Sequence, residues 1–307
     1  MITLIRASFA ERGSLGTRFL PLVLGVALLL WSTAFVGIRY AVRHYPPGSL
    51  ALLRFLVASA LLAGFGVATS KEKPRRVSFR EWGNLFVLGG TGIFGYHVAL
   101  NYGEKTVSAG AASLLVNTTP LFTVLLAALF LRERLPARGI LGTAIAFAGA
   151  AMVSLDTTDG FALDRGALLV LFAAVLQAIY FALQKSLLSR FGALELTVRS
   201  TWCGTILLAA FLPELLATLR TAPIPSTLVV LFLGVGPSAV AYLAWAYAVS
   251  KMSVSEAVGY LYLVPILALV LGWLLLDEAP RFLALAGGAT TLGGVALVRH
   301  TNAVTRR

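Results

Sequence analysis

Charge is what this sequence has least of. Only 12% of its 307 residues are Asp, Glu, Lys or Arg, about half the share of an ordinary soluble domain. A fold dissolved in water needs a polar skin, and this chain cannot supply one. That excludes a soluble enzyme, a disordered chain and a secreted module held by disulfides. Cysteine is nearly absent. Cys203 stands alone, so an internal disulfide and a cysteine-based metal cluster are excluded. Catalytic signatures are missing as well: no nucleophile elbow, no H-E-x-x-H zinc pair and no phosphate-binding G-x-x-x-x-G-K-[ST] occurs. The expectation is a protein without enzymatic activity, cofactor or metal.

Carboxylates are the scarcer charge. There are 13 Asp and Glu against 25 Lys and Arg, a net charge of +12. Nearly all acidic residues fall between the apolar runs or at their ends, as Glu133, Glu195, Glu256 and Glu278 do. Ion-coupled membrane carriers usually bury a carboxylate in the pathway. With none in mid-run, facilitated diffusion is expected ahead of proton coupling.

What the chain does have is apolar length. Hydrophobic residues make up 58% of it, and mean hydropathy is +0.87. A membrane-crossing helix needs roughly 20 predominantly apolar residues. Ten runs approach that length: 19–38, 55–70, 82–103, 106–131, 139–155, 166–184, 193–213, 221–250, 257–276 and 282–298. The runs are continuous rather than alternating, which speaks against a β-barrel. The first is too long for a cleaved signal peptide and lacks a small-x-small site, so it reads as a retained helix. In so apolar a chain the positive charge reads as topology rather than as a nucleic-acid surface. With the N-terminus in the cytoplasm, seventeen Lys and Arg fall inside and six outside. Both termini are therefore placed on the cytoplasmic side of the membrane. The partners expected are the lipid bilayer and a small-molecule substrate, with no nucleic acid and no obligatory protein partner.

The sequence also repeats. Shifted by 145 positions, Arg54 meets Arg199, Gly89 meets Gly234, Tyr102 meets Tyr247, Pro120 meets Pro265, Glu133 meets Glu278 and Gly149 meets Gly294. Matches concentrated on Arg, Gly, Pro and Glu mark a duplicated unit. Each unit holds five runs, and an odd number starts the second copy on the opposite side of the bilayer. The expected fold is an all-α membrane protein: ten transmembrane helices as two inverted five-helix repeats around a central cavity. The divisions are a segment 1–18, repeats 19–155 and 165–299, and a tail 300–307.

The stretch Ala51-Leu-Leu-Arg-Phe-Leu-Val-Ala58, Pro120-Leu-Phe122, Phe130-Leu-Arg-Glu-Arg-Leu-Pro136 and its weaker copy Leu274-Leu-Leu-Asp-Glu-Ala-Pro280 resemble the EamA family of the drug/metabolite transporter superfamily. The resemblance covers about residues 20–299. Within the family it is nearest to bacterial exporters of aromatic amino acids. It implies a cavity among runs 1–4 and 6–9, with the fifth and tenth peripheral, and export of aromatic and other neutral amino acids by alternating access. The alternatives are a proton-coupled exporter of another metabolite or drug, and a solute channel.

Polar and aromatic residues in mid-run are the candidate cavity lining, because amides and phenols facing lipid would lack partners. They are Trp31 in the first run, Tyr96, His97 and Asn101 in the third, Gln177, Tyr180 and Gln184 on one face of the sixth, and Tyr242 and Trp245 in the eighth. Gly92, Pro120, Pro237 and Pro265 are candidate hinges or kinks. Arg54 and Arg199 lie within runs. They are read as structural charges rather than carboxylate binders, since equivalent residues of an inverted repeat approach opposite faces.

Overall fold

The computed structural model describes residues 20–69, 77–123, 137–155, 164–251 and 263–305, together with 126, 260 and 261. The segment 1–18, the loop aspartates Asp156 and Asp159, Glu133 with its surrounding motif, Glu256 and Tyr262 lie outside the described residues. Every regular element among the described residues is helical. In chain order they are α1 (Leu20–Ala41), α2 (Pro47–Thr69), α3 (Phe79–Gly89), α4 (Tyr96–Gly103), α5 (Ala109–Val116), α6 (Ala137–Leu155), α7 (Arg165–Leu188), α8 (Ala193–Leu208), α9 (Leu212–Thr218), α10 (Ile224–Leu233), α11 (Ala241–Lys251), α12 (Leu263–Leu276) and α13 (Phe282–Thr305).

Local chemistry sets the boundaries. Pro47 opens α2, where its missing N–H costs nothing. Ser78 and Glu81 form a reciprocal capping box at α3. Ser108 caps α5, and the Asp164 carboxylate caps α7 by accepting from Gly166 N at 2.7 Å. The tenth apolar run does not stop where the hydropathy pattern does: α13 continues through residues 300–305, which the sequence reading assigns to a tail.

Five helices among the described residues are long and apolar enough to cross a membrane: Leu20–Ala41, Pro47–Ala68, Arg165–Leu188, Ala193–Thr218 and Ile224–Lys251. Their outward faces carry Leu29, Phe172, Ile206, Leu228 and, on α12, Trp273. An exterior of that kind suits hydrocarbon rather than water.

Equivalent positions of the two sequence halves take equivalent places. α2 packs on the 234–240 segment and α8 on the 90–95 segment; α1 packs on α11 and α7 on α4. α6 and α13, themselves repeat counterparts, pack extensively on one another. There Gly149 lies against Thr291 N and Gly287 O, while Gly294 lies against Ala146 N and Gly142 O. Each contact is the other shifted by 145 residues. No described side chain of either helix lines the cavity.

A cavity between matched bulges

Two helices are interrupted by π-helical turns at matched places: Gly90–Gly95 between α3 and α4, and Gly234–Val240 between α10 and α11. Glycines give both segments a free backbone, and Pro237 removes an N–H from the second. A π turn takes carbonyls out of the ordinary ladder, where side chains can reach them. Gly92 O accepts the Tyr242 hydroxyl at 3.2 Å. Pro237 O, its repeat counterpart, accepts Trp31 Nε1 at 3.2 Å. Each bulge thus orients an aromatic ring from the other half of the chain. The Tyr180 ring lies directly where a Gly92 side chain would be, so only glycine fits there.

The rings close around a cavity of about 60 Å³ of water-accessible space. Trp31, Tyr96, His97, Gln177 and Tyr242 line it, and so do Asn117 and Pro120. His97 Nε2 and the Tyr242 hydroxyl are 3.0 Å apart. They are 145 residues apart in sequence, so the contact joins two equivalent positions at the meeting of the halves. With the Tyr242 proton on Gly92 O, His97 donates from Nε2, and Nδ1 is left as an acceptor with no hydrogen-bond partner.

Four expected lining residues stand behind this first layer. Trp245 is fully buried and supports Trp31 and Phe181, with centroids 5.3 Å and 5.0 Å away. Tyr180 receives Gln184 Nε2 at 3.0 Å. Asn101 donates to Pro47 O at 3.0 Å and ties α4 to the start of α2. Before Pro120 the fourth run is interrupted: α5 ends at Val116, Asn117 and Thr118 form a turn, and helix resumes at Thr119. Pro265 sits in the first turn of α12.

The two arginines part company. Arg199 pairs with Glu195 at 2.9 Å and lies over the Trp82 ring, away from the cavity. Arg54 is 1% exposed and lines the cavity. Its Nη2 donates to Ser238 Oγ at 3.2 Å, whereas Nε and Nη1 have no acceptor. Sequence reasoning put both in one structural class because they match under the repeat. The signal that separates them is the lack of any carboxylate one helical turn from Arg54. Phe181, Thr119 and Val264 also line the cavity and were not singled out from sequence.

Among the described residues one carboxylate is wholly withdrawn from solvent. Glu104, in the turn after α4, is 0% exposed, and neither carboxylate oxygen has a hydrogen-bond partner. Burial pushes its pKa well above the usual carboxylate range, with Arg39 and then Arg54 opposing the rise and Glu278 adding to it. An acid whose pKa is raised on folding takes up a proton in the folded state. Its contribution to stability therefore falls as pH climbs from the unfolded carboxylate pKa toward the raised one. Thermal melts in detergent at pH 5 and pH 8 should show a smaller loss at the higher pH for Glu104→Gln than for the native protein. An equal loss in both would place the pH dependence elsewhere.

Apolar helices with a polar, aromatic cavity enclosed by both halves define a multi-pass membrane transporter. The chain belongs to the EamA-like transporter family, whose profile matches residues 19–155 and again 164–299. It is 39% identical over 266 residues to an uncharacterized transporter, YdfC, of Bacillus subtilis strain 168, covering 87% of this chain and 86% of that one. It is also 39% identical over 283 residues to a probable terminal-alkyne amino-acid exporter of Streptantibioticus cattleyicolor, covering 92% and 94%. A crystal structure of a protein 24% identical in sequence superposes with a TM-score of 0.62 over 91% of this chain and 96% of its own. The family and these relatives are transporters by name, not enzymes.

Proposed function

We propose that the protein exports small metabolites, chiefly aromatic and other neutral amino acids, across the bacterial inner membrane. The cavity carries this reading. It combines aromatic rings from both halves with unpartnered amide and guanidinium groups. A zwitterion needs such donors and acceptors, and offset or edge contacts with a ring add about 0.5–1.5 kcal/mol beyond area burial. The amino-acid exporter among the relatives supports the substrate class, and the resemblance to the aromatic amino acid exporter YddG supports the aromatic preference. Ten helices in two inverted repeats, both termini cytoplasmic, give alternating access by rocking one half against the other. The matched bulges and reciprocal α6–α13 packing support that arrangement.

Among the described residues the cavity lining contains no carboxylate, which favours facilitated diffusion. The buried Glu104 is the observation that favours a proton-coupled mode instead. Reconstituted protein in liposomes loaded with phenylalanine should catalyse saturable counterflow, and an uncoupler should leave downhill flux intact. Tyr96→Ala should lower flux of aromatic amino acids several-fold more than that of alanine, while Trp82→Ala should leave the ratio unchanged. Ohmic single-channel current would replace the carrier by a channel, and loss of downhill flux with the uncoupler would establish coupling.

A further inference from the structure

We infer that Arg54 is the carboxylate-recognition residue of the cavity, so that the site selects solutes bearing a carboxylate and rejects their amide and amine counterparts. The inference deepens the proposed transport reading and rests on it. The guanidinium is almost wholly withdrawn from solvent in a cavity wall. Among the described residues its side chain makes one hydrogen bond, to a neutral hydroxyl, Ser238. Glu104 senses it electrostatically but makes no hydrogen bond with it. A buried cation without an anionic partner is costly to keep unless something supplies the missing charge. The Phe55 ring, 5.8 Å from the guanidinium carbon, supplies an aromatic surface and no acceptor oxygen.

The rest of the lining suits an α-amino acid whose carboxylate rests on Arg54. Asn117 Oδ1 and Gln177 Oε1 are buried acceptors without donors. Asn117 is held in that orientation, because its Nδ2 donates to Ser113 O at 3.2 Å. Together with His97 Nδ1 they offer acceptors for an ammonium group. The orphaned groups are thus donors on one residue and acceptors on three; apart from Thr119, whose hydroxyl donates to Val116 O, the rest of the described lining is rings and aliphatic side chains. A solute with an ammonium but no carboxylate would leave Arg54 unpaired and add like charge beside it. Organic cations, which a cavity of rings alone would welcome, should therefore be excluded.

The test is competition against counterflow of labelled phenylalanine and, in parallel, labelled leucine, using the full chain in liposomes. Competitors are phenylalanine, N-acetylphenylalanine, phenylalaninamide and phenethylamine. The two carboxylates should compete at least tenfold better than the amide and the amine. Arg54→Gln should raise the half-saturation concentration at least tenfold and remove the difference between phenylalanine and its amide. Arg54→Lys should keep part of it. Elution and melting in detergent check that both variants fold, and the competitor series on the native protein decides the matter if they do not. Equal competition by acid and amide overturns the role of Arg54 and leaves the transport reading intact. Counterflow of leucine but not phenylalanine, with acids still preferred, overturns the aromatic preference alone. Counterflow of neither overturns both.

Discussion

Gly294→Val should lower the melting midpoint by several degrees or more, whereas Gly293→Val, one residue earlier on the same helix, should be tolerated. A side chain at Gly294 would meet Ala146 N at 2.5 Å and Gly142 O at 2.6 Å. Both are backbone atoms of α6 and cannot swing aside. Thr291 Oγ1, one turn away, reaches Ala146 O at 3.5 Å in the same contact. Helices in hydrocarbon gain nothing from mutual hydrophobicity and depend on such close backbone approach. Forcing them apart costs about 3 kcal/mol or more, roughly a 6–12 °C lower melting midpoint. Gly293 faces outward with open space around it, so valine there meets only lipid or detergent. Gly149→Val, at the repeat counterpart, should be as damaging as Gly294→Val. Similar melting of the 293 and 294 variants would show that α6 and α13 are not held by this contact.

That contact also shows how far the sequence could be read. Gly149 and Gly294 are visible as repeat matches, because a duplicated chain keeps residues that only one chemistry can fill. What a one-dimensional match cannot show is that the two glycines belong to a single reciprocal interface. The bulges are a similar case. Gly92 and Pro237 are recognisable as weak points of long helices, but their matched carbonyls receiving Tyr242 and Trp31 are a consequence of packing between distant segments. Helical periodicity finds the polar face of α7, yet it cannot tell Gln177 in the cavity wall from Tyr180 and Gln184 behind it, since depth depends on neighbouring helices. Arg54 and Arg199 look alike in the sequence because the repeat makes them alike; the three-dimensional halves are only approximately equivalent, and Arg199 alone has a glutamate four residues away. Glu104 reads as a loop residue because it stands between two apolar runs. The turn that carries it is folded inward beneath Arg39, and nothing in local composition announces that.

Removal of the Glu278 carboxylate should open the cavity at the end where that turn lies. Asp277, in the left-handed conformation at φ 55°, ends α12 and turns the chain so that Glu278 N bonds back to Gly272 O at 3.3 Å. Glu278 then accepts from Arg39 Nε at 2.7 Å and from Ala109 N at 3.0 Å. Arg39 also donates through Nη1 to the carbonyls of Glu104 and Lys105, at 2.7 Å and 2.9 Å. One ion pair thus ties the end of α1, the turn before α5 and the turn after α12. Ile38, adjacent to Arg39 in α1, lines the cavity, so the ion pair stands next to a lining residue. The repeat counterpart of the Glu104 carbonyl is that of Val249, and it receives Lys185 Nζ at 2.7 Å. Each half therefore brings a cation from its first long helix to the corresponding backbone carbonyl. A charge-assisted hydrogen bond is worth about 1.5–3 kcal/mol, and partial exposure of this pair puts it at the lower end. About 1.5 kcal/mol shifts a two-state equilibrium roughly tenfold. In a Cys203→Ser background with Ile38→Cys, Glu278→Ala should raise labelling by a membrane-impermeant thiol reagent, applied from the predicted outer face, about tenfold. Maximal transport should fall, because the state closed on that side becomes scarce. Glu278→Gln, which keeps an acceptor for Ala109 N, should lie between. Unchanged labelling in folded Glu278→Ala protein would mean that the ion pair fastens loops without closing the path.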